Sequence, residues 1–110
     1  EPYLGAPLHN PLSDYEIKER QFELRQLYLE FFSNIREGLV NNGWVVLVLP
    51  AFAKSTTQGR KYVQFPPSLV DEIESLGYIC NYLVGEKRGL VYNRPDAYVA
   101  REITLWQRNE

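Results

Sequence analysis

The sequence predicts an α/β domain: a three-stranded mixed sheet, its last strand antiparallel, with helices flanking it. Three observations carry that expectation. Apolar residues recur at helical spacing from Leu24 to Leu39, an unbroken apolar run spans Trp44–Leu49, and the segment from Tyr98 to Gln107 reads as a last strand. The 110 residues are 45% hydrophobic and 24% charged, the balance of one globular domain, which argues against a disordered chain or a collagen-like repeat.

Residues 1–12 hold three prolines and one glycine, which excludes regular helix and central strand. Ser13 followed by Glu16 is a capping box, in which each side chain satisfies a backbone amide at the start of a helix. Leu24, Leu27, Tyr28, Phe31, Phe32, Ile35 and Leu39 then form one face, and Lys18, Glu19, Arg25, Gln26 and Glu30 the other. This predicts a helix from about 14 to 38, ended by Gly38 or by the Asn41-Asn42-Gly43 stretch.

Trp44–Leu49 is apolar at every position, so it is expected to be a parallel strand covered on both faces. Pro50 stops it, and residues 51–66, which include Lys54, Arg60 and Lys61, read as a long loop. Ser68 with Asp71 starts a short helix burying Leu69, Ile73 and Leu76, with Gly77 as its cap. Tyr78–Val84 reads as a strand and Gly85–Gly89 as a turn. In the last strand Val99, Arg101, Ile103 and Leu105 share one face, and Ala100, Glu102, Thr104 and Trp106 the other. Arg101 among apolar neighbours predicts a sheet edge or a paired charge.

Several chemistries are excluded by composition. One cysteine permits neither an internal disulfide nor a cysteine zinc site and fits a reducing compartment, so a cytoplasmic location is expected. One histidine excludes a two-histidine metal motif, and no metal is expected. No apolar run approaches the ~20 residues of a membrane helix. The N-terminus is polar and proline-rich, unlike a signal peptide. Methionine is absent and the chain opens on Glu1, so it is expected to be a piece of a longer protein.

Net charge is −2, which is no bulk polyanion-binding signature. Contact with nucleic acid would be local, through Lys54, Arg60, Lys61, Lys87 and Arg88; the same residues also read as solvated surface charge. There is no G-x-G-x-x-G, P-loop or G-x-S-x-G motif. A Cys80–His9 dyad is not expected, because a thiol in an apolar strand is inert.

Glu1-Pro2-Tyr3-Leu4-Gly5 resembles the motif that class I S-adenosylmethionine-dependent methyltransferases of amino groups carry at the end of their fourth strand: an acid or amide, Pro-Pro, an aromatic, often Gly. The order downstream is similar as well: helix, fifth strand, helix, sixth strand, antiparallel seventh strand. Among these enzymes the chain most resembles the THUMP-associated tRNA guanine-N2 methyltransferases, with Arg101-Glu102-Ile103 in the closing strand. The resemblance implies a partial Rossmann-like methyltransferase fold. Residues 1–110 would form the C-terminal portion of a catalytic domain, its partners RNA (tRNA above all) and the missing N-terminal half.

The resemblance also implies roles. Glu1 and the Pro2 carbonyl would accept hydrogen bonds from the target amine as charge develops on nitrogen, and proline would hold those acceptors in place. Tyr3 would stack on the flipped base. Leu4, Gly5, Lys54, Arg60 and Lys61 would complete the substrate site. This chain departs from the motif in placing Tyr3 at the second Pro position, Leu4 at the aromatic one, and Glu where Asp is usual. The Gly-rich loop and the acidic residue that hold S-adenosylmethionine would both precede Glu1. The alternative is an inactive methyltransferase-like module that binds RNA or protein.

Overall fold

A computed structural model describes residues 8, 10–56, 59–81, 89–94 and 97–109. Helix α1 (Asp14–Ile35) runs into a 3-10 turn (Arg36–Gly38), and strands β1 (Trp44–Thr56) and β2 (Gly59–Val63) follow. Then come α2 (Pro67–Ser75), β3 (Tyr78–Asn81), β4 (Gly89–Tyr92) and β5 (Val99–Arg108).

The capping box is present: Ser13 Oγ accepts from the Glu16 amide at 3.2 Å, and Glu16 Oε1 accepts from the Ser13 amide at 3.1 Å. The Ser13 amide foremost, and then the Ser13 hydroxyl donating to the same Oε1 at 2.9 Å, hold the Glu16 carboxyl below its ordinary value. α1 ends at Ile35, and the chain turns at Asn42, whose φ is +62°. α2 opens two residues earlier than a Ser68 cap suggests. Pro66 is the N-cap with Pro67 at the first helical position, where a missing N–H costs nothing. Gly77 leaves α2 at φ +100°, where a side chain strains the backbone, and a Cβ there would lie 2.6 Å from Arg36 Nε and displace that side chain.

The sheet runs β2-β1-β5-β3, with β4 also paired to β5, and every pairing is antiparallel. This corrects the three-stranded mixed sheet. Two segments supply the extra strands. Residues 51–56 prolong β1, and the chain returns as β2 through a two-residue connection, with Thr56 opposite Gly59. Of the expected strand Tyr78–Val84, Tyr78–Asn81 forms β3 and residues 82–84 lie outside the described residues; β4 continues along the same edge of β5. Asn81 sits opposite Leu105 and Gly89 opposite Thr104, so β5 advances by one residue where the edge chain advances by eight.

β5 is therefore central, which corrects the edge alternative for Arg101; its side chain is exposed and not deeply buried. Because β1 and β3 are both antiparallel to β5, they run in the same direction on either side of it.

Both helices lie on one face of the sheet. Tyr28 and Phe32 of α1, Leu69 and Ile73 of α2, and Leu47, Leu49, Tyr78 and Trp106 of the strands form one buried cluster. Phe32 meets Tyr78 and Trp106 edge-on, with ring centroids 4.8 and 5.3 Å away. Buried polar groups beneath are satisfied in series. The Trp106 indole donates to Thr104 Oγ1 at 2.8 Å, and Thr104 donates to the Leu47 carbonyl at 2.6 Å. The Tyr78 hydroxyl donates to the Phe32 carbonyl at 2.6 Å; burial pushes that phenol above its ordinary value.

The second face of β1 is not covered as expected. Leu47 and Leu49 are buried, but Trp44 is 52% and Val46 65% exposed. An apolar run expresses compatibility with cover on both sides, and here both helices take the same side. Burial on both faces begins only at Pro50 and lasts to Ala53, whose carbonyl accepts from the Leu12 amide at 2.9 Å.

Candidate nucleic-acid interface

Glu1, Pro2, Tyr3, Leu4 and Gly5 lie outside the described residues, as do His9, Val84, Lys87 and Arg88. The basic residues assigned to a loop after the first strand stand instead on the β1–β2 hairpin. Lys54 is opposite Lys61, and Arg60 is opposite Ser55. Two ammonium groups at directly paired positions repel each other. The structure answers with Asp14 at the first turn of α1: Lys54 Nζ lies 2.7 Å from Asp14 Oδ1. That hydrogen bond and the ammonium charge hold the Asp14 carboxyl below its ordinary range. Lys54 thus ties the hairpin to the start of α1, and Lys61 is left as the exposed cation of the pair.

The chain between β4 and β5 is fixed against the same hairpin. Tyr62 of β2 donates through its hydroxyl to the Ala97 carbonyl at 2.7 Å and accepts from Asn93 Nδ2 at 3.3 Å. The Ala97 amide closes a turn onto the Arg94 carbonyl at 3.0 Å, and Asn93 Nδ2 adds a bond to that carbonyl at 3.1 Å. One further strand-like bond, from the Ala53 amide to the Tyr98 carbonyl at 2.9 Å, seats the end of this segment on β1. The phenol of Tyr62 is thus a bracket joining β2 to the entry of β5. Sequence reasoning had no role for Tyr62 or Arg94, since the bonds of Tyr62 to Asn93 and Ala97 depend on a hairpin read as a loop. The Asn93-Arg94-Pro95-Asp96 run is turn-forming by composition, and that signal was available.

Elsewhere, Arg25 of α1 and Glu72 of α2 form a two-pronged ion pair, with Arg25 Nε 2.8 Å from Glu72 Oε1 and Nη2 on Oε2. The guanidinium holds the Glu72 carboxyl below its ordinary value. Cys80 is half-buried in β3, with its amide 3.3 Å from Glu74 Oε2. Among the described residues, no group of three His, Cys, Asp or Glu side chains could hold a metal ion. Nor is any helix there long and apolar enough to cross a membrane. No family model, curated protein or solved structure matches this chain.

Proposed function

We propose that this chain is the C-terminal half of a catalytic domain that transfers a methyl group from S-adenosylmethionine to an exocyclic amine of an RNA base, guanine N2 of a tRNA in the first instance. The observation that carries the reading is the order and sense of three strands. β1 and β3 run the same way with β5 reversed between them, and α2 crosses from one to the other on the face that α1 also covers. That is the arrangement expected of the fifth, seventh and sixth strands of such a domain.

A second feature supports it. Among the described residues, Trp44–Ala51 pair with β5 on one edge and with no strand on the other, since β2 pairs only from Phe52 onward. An unpaired edge of eight residues beside an exposed apolar face leaves room for further strands and their helices.

No residue of this chain is assigned to the cofactor, whose methionine and ribose would be held by the preceding half. When bound, the cofactor supplies an electrophilic methyl group. The part of this chain is to hold the acceptor nitrogen: Glu1 accepts from its N–H, Pro2 fixes the backbone, and Tyr3 stacks on the base.

Methyl transfer by the full-length protein from radiolabelled S-adenosylmethionine to unmodified tRNA tests the reading. Glu1→Ala is expected to lower kcat by about a hundred- to a thousandfold, about 3–4 kcal/mol, by analogy with loss of one oxyanion-hole donor. RNA affinity, carried mostly by phosphate contacts, is expected to hold. A variant with the wild-type single-turnover rate overturns the assignment of Glu1. RNA binding without any methyl transfer leaves the inactive binding module in its place.

A further inference from the structure

At the Val99 end of β5 the surface sinks into a depression of about 370 Å³ lined by Leu8, Arg94, Ala97, Tyr98, Val99 and Arg101. Its size falls within the range of small-ligand clefts. Its walls are built rather than incidental. The Arg94 carbonyl accepts from the Ala97 amide and from Asn93 Nδ2, and Tyr62 donates to the Ala97 carbonyl while accepting from Asn93. Arg101 stands on β5 between Pro50 of β1 and Tyr92 of β4, on the sheet face opposite the helices, and both arginines are exposed. Each guanidinium carries five N–H donors in a planar fork, so an arginine that already holds one partner still presents donors to another.

We infer that this depression binds the phosphate backbone of a single-stranded or looped RNA, with Arg94 and Arg101 on phosphate oxygens and Tyr98 against the adjoining sugar or base. The choice of RNA rests on the function proposed above. The chemistry itself rests on the site. Two arginines and an aromatic ring in one cleft suit a phosphate next to a stackable ring. The cleft also sits well for that role. Leu8 lines it and is three residues downstream of Gly5, a covalent span of at most ~11 Å. The lysine pair of the hairpin is less suited, because Lys54 is engaged with Asp14.

Fluorescence anisotropy of a short labelled single-stranded RNA, titrated with the full-length protein across a series of KCl concentrations, tests the inference. Each lost phosphate contact on a single strand flattens the log–log salt slope by ~0.7, so Arg94→Gln with Arg101→Gln is expected to flatten it by ~1.4. Arg94→Lys with Arg101→Lys keeps both charges and is expected to keep most of the slope, which separates lost contacts from a misfolded variant. Lys18→Gln, on α1, removes one charge elsewhere and is expected to leave the slope unchanged.

An unaltered slope in the double glutamine variant overturns the site. So does a wild type that does not bind the RNA, or a Lys18→Gln slope that falls as much as one arginine's share. Methyl transfer is scored separately. A flattened slope without methyl transfer keeps the site and removes the enzyme, and methyl transfer with an unaltered slope does the reverse.

Discussion

The helix-covered face of the β1–β5 ladder and its opposite face come from the same two strands, residue by alternate residue. On the covered face, Leu47, Leu49, Ala100, Thr104 and Trp106 are buried. On the other, Trp44 and Val46 of β1, Ile79 of β3 and Tyr92 of β4 stand in the open, with Arg101 beside Tyr92. The side chains of β1 are equally apolar on both faces, so hydropathy does not distinguish them. What distinguishes them is which polar groups are hidden: the covered face buries the Glu102 carboxyl together with a hydroxyl, an indole and a phenol, and the last three donate to Leu47, Thr104 and Phe32. The open face keeps its arginine at the end where the cleft lies.

That contrast can be broken at its strongest point by Phe32→Ala. The ring touches Tyr78 and Trp106 at the centre of the covered face, so its removal is expected to cost about 3–5 kcal/mol in chemical denaturation. A loss near that of a surface substitution would mean the core is not where the structure puts it. Tyr78→Phe takes away only the hydroxyl that serves the Phe32 carbonyl, and about 1–3 kcal/mol is expected for the acceptor left behind.

Val46→Lys sharpens the comparison from the other side. In the 110-residue chain it is expected to shift stability by no more than about 0.5 kcal/mol, as exposed positions do. In the full-length protein the same change is expected to cost several times more, because the proposed preceding half would cover it. Equal effects in the two would argue that the open face stays open.

The smallest effect concerns the tie between the helices. Glu72 has an ordinary value of 4.5 that Arg25 lowers in the folded chain. The pair's contribution is therefore complete above pH 4.5 and is lost as pH falls through the lowered folded value. Wild type and Glu72→Gln are expected to differ in melting temperature at neutral pH and to converge in acid. Curves that stay parallel down to strongly acidic pH would deny the pair a role.

The elements that were legible in the sequence are those whose signal is local. The Ser13–Glu16 box is four residues long, and the alternation of β5 is intrinsic to a strand with one covered face. The β1–β2 hairpin was not legible. Beyond Ala53 its tie to α1 is the polar Lys54–Asp14 pair, so Lys54, Lys61 and Tyr62 carry no apolar alternation and read as loop. Trp44–Leu49 misled for the converse reason. A uniform apolar run permits cover on both faces but does not supply it. At the cleft, Arg94 follows β4 and Arg101 lies on β5, and the Tyr92–Arg101 pairing, which no local signal announces, brings them into one wall.

The divided edge of the sheet makes β5 a template. β3 and β4 hold consecutive rungs of it, Asn81 opposite Leu105 and Gly89 opposite Thr104, so two separate pieces of chain are read as one continuous edge. A substitution that disturbs β5 at this step would loosen both strands at once, which couples two stretches of chain through a strand that each pairs with separately.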